Sequence, residues 1–175
     1  MVHRLDKDTS GILVLAKDDA AYLRLVKMFS NSEVEKFYGT IVCGGFDKSF
    51  GEIHKPIGRS GIDKTKMSFR KCGKQAITRW ELLQTFKKNF SYMNIQILTG
   101  RTHQIRVHMS YIGHPTAGDV TYGYNKNISY GTQFSRVMLH AYRIKLKHPI
   151  SDESLEITAP LPNDFKESLE KLEAF

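Results

Sequence analysis

Between residues 90 and 98 the sequence reads FSYMNIQIL, with Met93, Ile95 and Ile97 alternating against Asn94 and Gln96. A period of two marks a half-buried strand and does not suit an amphipathic helix. The next stretch, TGRTHQIRVHMSYIGHP (99–115), turns at Gly100 and changes period. Ile105, Met109 and Ile112 fall at helical spacing, and Gly113 and Pro115 give a stop signal. Strand, tight turn and helix therefore meet at Arg101.

The same tests predict strands in EKFYGTIVCG (35–44), VMLHAYRIKLKHP (137–149) and LEITAP (155–160), and a buried strand in the apolar run GILVLAK (11–17). A helix is expected in DDAAYLRLVKMFSN (18–31), which opens on acids and sets Leu23, Val26 and Phe29 near one face. Another is expected in NDFKESLEKLEAF (163–175), with Phe165, Leu169 and Leu172 on one face. Strands outnumber helices and adjacent strands lack helical crossovers. The expected class is α+β, a mainly antiparallel mixed sheet with flanking helices. Nothing divides the 175 residues, so residues 1–175 are expected to form a single domain.

The net charge of +8 is unevenly placed. Residues 54–90 hold ten Lys/Arg, Lys88 among them, against Asp63 and Glu81; from residue 151 onward seven acids face Lys166 and Lys171. A basic middle and an acidic tail suit one face for a polyanion and one turned away from it. Taken alone, the run reads first as a solvated lysine-rich surface. No apolar run approaches the ~20 residues that a membrane span needs. Cys43 and Cys72 are the only cysteines, with no second pair for a metal knuckle, so two free thiols in a reducing cytoplasm are expected.

LDKDTSG (5–11) carries a D-x-D-T string close to the D-x-D-x-T of the aspartate-nucleophile phosphatases. Their chemistry wants an apolar strand ending at the first aspartate. Here His3 and Arg4 break the approach, and the apolar run follows the motif. Asp8 reads better as a turn residue beside Thr9 and Ser10. His103 and His108 lie five apart, on different faces of a helix, so no metal site is expected there.

Five stretches in order, HRLDKDTSGILVLAK (3–17), EKFYGTIV (35–42), LTGRTHQIRVHM (98–109), GHPTAGDVTYG (113–123) and LHAYRIKLKHP (139–149), resemble the signatures of the RluA-type pseudouridine synthases. They cover most of the chain. The resemblance implies the pseudouridine synthase catalytic-domain fold, with Asp6 as the catalytic carboxylate, Tyr38 as the active-site tyrosine and Arg101 as the residue that pairs with the aspartate. It implies RNA as partner and a uridine in structured RNA as substrate, in ribosomal RNA ahead of transfer RNA. That reaction breaks the glycosidic bond, turns the uracil and rejoins ribose to carbon 5. No atoms are gained or lost, so no cofactor and no metal are expected.

A carboxylate is wanted beside the ribose, and the uridine must leave any stack to reach it. Motif neighbours Arg4, Thr9, Lys36, Thr102, His103, Gln104 and Arg106 are expected to meet the substrate or the RNA. Lys55, Arg59, Lys64, Lys66, Lys71 and Lys74 are expected to grip phosphates, which positions an RNA without reading its sequence. Family catalytic domains also carry several dozen residues ahead of the aspartate motif, including a lysine-proline segment. The resemblance therefore implies an N-terminally truncated domain, with a sheet edge open to self-association. Two functions follow: an RNA-uridine isomerase using Asp6, or a catalytically impaired RNA-binding remnant.

Overall fold

The computed structural model describes residues 1–87, 89–125 and 133–174; Lys88 of the basic run and Phe175 of the last expected helix lie outside them. The sheet is built outward from β2 (Glu35–Cys43), which is antiparallel to β7 (Phe90–Ile97) on one side and to β8 (Leu139–Lys147) on the other. Beyond β7 come β6 (Ile77–Phe86) and then β3 (Phe50–His54). On the outer side of β8, β1 (Ser10–Gly11) runs parallel and β9 (Ser154–Thr158) antiparallel. The order β1-β8-β2-β7-β6-β3 is therefore mixed only at its β1 end. A separate hairpin, β4 (Ile57–Arg59) with β5 (Met67–Phe69), stands off this sheet. The α+β expectation holds.

Neighbouring β2 residues point to opposite faces, and each face receives a helix. Ile41 packs with Phe165 and Leu172 of α3 (Asn163–Glu173). Val42 packs with Ile105 and Met109 of α2 (Gln104–Tyr111). The third helix, α1 (Asp19–Ser30), starts where the Asp18 carboxylate accepts from the Ala21 N–H at 2.8 Å, and it sets Leu25 and Met28 against Ile144 and Leu146 of β8. No helix among the described residues is long and apolar enough to cross a membrane.

Three expectations change. The run 11–17 is a strand only at Ser10–Gly11, and beyond it Leu13 and Leu15 are 42% and 63% exposed. The cause is competition for one edge: β9 already pairs with β8 at Arg143 through Lys147, leaving β1 only His140 and Ala141. On α1 the buried face carries Ala21, Leu25 and Met28, while Leu23 points to solvent. The basic stretch, read only as charge, folds into β3 through β6. Its apolar positions are too sparse for a clear period, and β6 fully buries only Thr78 and Phe86.

Two details fix the regions that matter for the site. His108, fully buried on α2, donates from Nε2 to the Lys55 carbonyl at 2.9 Å, so its Nδ1 accepts from the Thr78 hydroxyl at 2.8 Å. Burial pushes its pKa down, which keeps the ring neutral as this arrangement requires. Gly11 adopts φ +115°, and a Cβ there would stand 2.2 Å from the Ala141 carbonyl oxygen. Only glycine allows β1 to lie this close to β8. Gly11→Ala should therefore lower stability by at least the ~1–3 kcal/mol of a strained residue. Urea unfolding of the two proteins side by side measures it.

Candidate active site

Asp6 sits in the segment leading into β1, and three tethers hold that segment. The Thr9 N–H donates to the Asp6 carbonyl at 3.0 Å, closing a turn in which Asp8 is left-handed at φ +69°. Ser10 Oγ lies 2.8 Å from His140 Nδ1. His3 Nε2 accepts from the Val14 N–H at 2.9 Å, and its ring stacks on Phe29 at 4.6 Å. Burial pushes the His3 pKa down, with the Lys36 charge adding to it, so the ring stays an acceptor at neutral pH. Asp8 thus takes the turn position that its surroundings suggested.

The segment closes one wall of a cavity of about 430 Å³, to which Asp6, Tyr38, Lys36, Arg101, Ile105 and Leu139 contribute. Tyr38 comes from β2, Leu139 from the start of β8, and Arg101 and Ile105 from the β7–α2 junction. Burial, with Asp6 contributing, raises the Tyr38 pKa, so its side chain remains a neutral phenol. Arg4 is exposed at the cavity edge and Thr102 at its rim. Thr9 also lines the cavity, and its hydroxyl is buried without a hydrogen-bond partner.

The counter-charge of Asp6 is Arg106, not Arg101. Arg106 Nη1 lies 4.0 Å from Asp6 Oδ2, and the same guanidinium binds Asp119 through Nε at 2.6 Å and Nη2 at 2.9 Å. The pair is dry: the Arg106 and Asp119 side chains are 7% and 1% exposed. Burial works against the arginine's charge, yet the two carboxylates raise its pKa overall. Arg101, on the cavity wall, instead donates from Nε to the Gln75 carbonyl at 2.9 Å. The expected Asp6–Arg101 ion pair does not form, because Arg101 lies in the turn ahead of α2 while Arg106 lies within the helix and faces the aspartate.

Gln104, expected to contact RNA, is buried and organises this turn. Its Oε1 accepts from the Thr99 hydroxyl at 2.7 Å and the Arg101 N–H at 3.0 Å. Its amide nitrogen donates to the Ile77 carbonyl at 2.9 Å and to Thr78 Oγ1 at 3.0 Å. His103 adopts φ 57° at the head of α2, and its Nδ1 lies 2.7 Å from the Tyr122 hydroxyl. That hydroxyl also accepts from the Met67 N–H at 2.9 Å. Burial lowers the His103 pKa although Asp6 pulls it the other way. Tyr122 stacks its ring under Arg106, 4.9 Å from the guanidinium carbon.

The β4–β5 hairpin is rooted on the same residues, with Ile57 and Ala76 packing against Val107 and Tyr122. From this root it presents Arg59, Lys64, Lys71 and Lys74 to solvent. Lys66 lies 3.7 Å from Asp63. Lys55 is half-buried between the Phe69 and Tyr111 rings, at 5.5 and 5.4 Å. Asp119 and Tyr122 were missed from sequence. A usable signal existed: an arginine in a helix buried on every side needs a carboxylate, and Asp119 is the next acid along the chain.

Residues 1–111 match the family described as RNA pseudouridylate synthase. The uncharacterized RNA pseudouridine synthase YlyB of Bacillus subtilis is 44% identical over 172 residues, covering 98% of this chain and 55% of the relative. Ribosomal large subunit pseudouridine synthase D of Pasteurella multocida is 40% identical over 183 residues, covering 99% of this chain and 56% of the relative. Among solved structures, human RNA pseudouridylate synthase domain containing 4 superposes with a TM-score of 0.81 at 28% identity, covering 98% of this chain and 74% of that one. Human RNA pseudouridylate synthase domain containing 1 gives 0.79 at 32%, covering 92% and 68%.

The chain belongs to the RNA pseudouridylate synthase family, in agreement with the RluA-type resemblance of its five motifs. It spans about half the length of the curated relatives it matches.

Asp119→Ala would leave Arg106 buried against Asp6 alone, and it would also free the Thr121 N–H, held by Asp119 at 3.2 Å. Breaking one partner of a buried pair costs about 3–5 kcal/mol. The expected outcome is a loss of that size in chemical denaturation, with Asp119→Asn, which keeps the shape, losing less.

Proposed function

We propose that this chain carries the catalytic centre of an RNA-uridine isomerase acting on large-subunit ribosomal RNA in the cytoplasm, with Asp6 as the reacting carboxylate. The observation that supports it most is the pairing of a cavity of nucleoside size with one carboxylate on its wall, faced by a dry guanidinium and flanked by a tyrosine. The N1–C1′ bond of uridine breaks as Asp6 meets positive charge developing at C1′, either by attack or by electrostatic support. The uracil turns, C5 bonds to C1′, the C5 proton leaves and N1 gains one. Bonds and protons balance, with no net oxidation.

Tyr38 offers a ring to the uracil face, and its neutral hydroxyl can pass the C5 proton. Arg106 holds Asp6 in place and supplies the charge that Arg101 was expected to supply. The ribosomal substrate rests on the names of the relatives. Exposed lysines on the hairpin fit the phosphates of an RNA whose target base has been drawn into the cavity.

Asp6→Asn should abolish tritium release from RNA carrying 5-tritiated uridine while RNA affinity stays within a few-fold of the parent. Near-parental release would end the mechanism; binding without turnover by the parent itself would select the RNA-binding remnant instead. Charge reversal of Lys64, Lys66, Lys71 and Lys74 to Glu should weaken RNA binding. Each lost phosphate contact should flatten the slope of log affinity against log salt by roughly one unit. An unchanged slope would leave these lysines as a solvated face.

A further inference from the structure

Lys36 stands apart from the other cations of this chain. It is only 8% exposed, yet among the described residues its ammonium has no hydrogen bond and no carboxylate within ion-pair distance. Lys36 and Tyr38 are two apart on β2, so both side chains face the cavity that holds Asp6. The ammonium sits 5.9 Å from the centre of the Phe29 ring. Across the gap lies Gly100, where an added Cβ would come 4.0 Å from Nζ.

Lysine is almost never buried unless paired, and its charge is costly to hold in a dry wall. Here burial and the neighbouring Arg101 charge both lower the Lys36 pKa. Two cations on one cavity wall, with no carboxylate within ion-pair distance of Lys36 among the described residues, make a place for an anion. The unpartnered Thr9 hydroxyl on the same cavity adds a buried group awaiting a ligand.

We infer that Lys36, with Arg101, forms an anion subsite inside the Asp6 cavity that takes one backbone phosphate of the target nucleotide and so fixes its ribose against Asp6. This rests on the isomerase reading above and names what that site holds. Uridine itself is neutral, so the anion available in such a substrate is the phosphodiester. The exposed hairpin lysines can reach phosphates of a stacked strand. Lys36 lies inside the wall, and only a nucleotide already drawn out of its stack brings a phosphate to it. Lys36 is thus a positioning residue that rewards the extruded state.

The test compares the parent chain with Lys36→Met and Lys36→Arg. Inorganic phosphate is titrated at low salt and followed at the backbone amides of Gly100 and Arg101 by NMR. Saturable shifts are expected in the parent and in Lys36→Arg, and their loss in Lys36→Met. In tritium release, Lys36→Met should raise KM for RNA at least about tenfold, the share of one charge-assisted contact. It should also flatten the salt slope by roughly one unit, with the loss falling on KM rather than kcat. Its melting temperature should be no lower than the parent's, because an unpaired buried charge has been removed.

Equal phosphate shifts in parent and Lys36→Met, or none in the parent, would overturn the subsite. A loss confined to kcat would also overturn it, assigning the charge to the uracil instead. The phosphate titration needs no turnover. It therefore decides the subsite even if the parent releases no tritium and the isomerase reading fails.

Discussion

The buried pair of Arg106 and Asp119 holds the working parts of this molecule together. Asp119 fastens the loop after α2 to the helix, and Arg106 turns its remaining Nη1 toward Asp6. One cation thereby serves two carboxylates, the nearer one structural and the farther one facing the cavity. A guanidinium is suited to this because its planar fork can bind one acid bidentately and still present a third nitrogen. A lysine could not hold both in fixed geometry. Tyr122, stacked on the same guanidinium, passes the arrangement on to His103 and to the Met67 N–H at the hairpin.

The basic hairpin and the carboxylate therefore share one support. The hairpin packs through Ile57 on Val107 and Tyr122, and α2 carries Val107, Arg106 and the neutral His108 that grips the Lys55 carbonyl. A helix of eight residues bears all of these contacts. Nearly every one of its side chains is buried, so little rotation is open to it. The rigidity suits the proposed role of Asp6, in which a carboxylate is aimed at one carbon of a nucleotide.

Much of this was legible in the sequence, for identifiable reasons. Strands 35–43 and 90–97 announce themselves because each alternates or runs apolar in the way that sheet burial demands, and the acids at 18 and 19 mark the start of α1. Motif order identified Asp6 and Tyr38, and both line the cavity. What could not be read was direction. Arg101 and Arg106 sit in the same motif, and only the phase of α2 decides which guanidinium looks at Asp6. The strand expected over 11–17 stops short because β9, some 140 residues away, claims the same edge of β8. β6 hid because its burial does not follow its apolar residues: Thr78 is buried while Leu83 is exposed. Gln104 was expected at the RNA as a motif neighbour of Arg101, but the turn's own N–H and hydroxyl groups claim it.

The parallel pairing of β1 with β8 sets a timetable. Ser10 finds His140 across 130 residues of chain, so the segment bearing Asp6 docks by closing one of the longest loops this domain contains. Such contacts are formed after local ones, because the closure entropy is met before the contact repays it. On a ribosome residues 5–11 emerge well before the strand they pair with, and they wait for β8 to be synthesised. A nascent or partly unfolded chain could expose its basic hairpin while its carboxylate is still adrift. Chemical competence would then arrive only as the sheet closes.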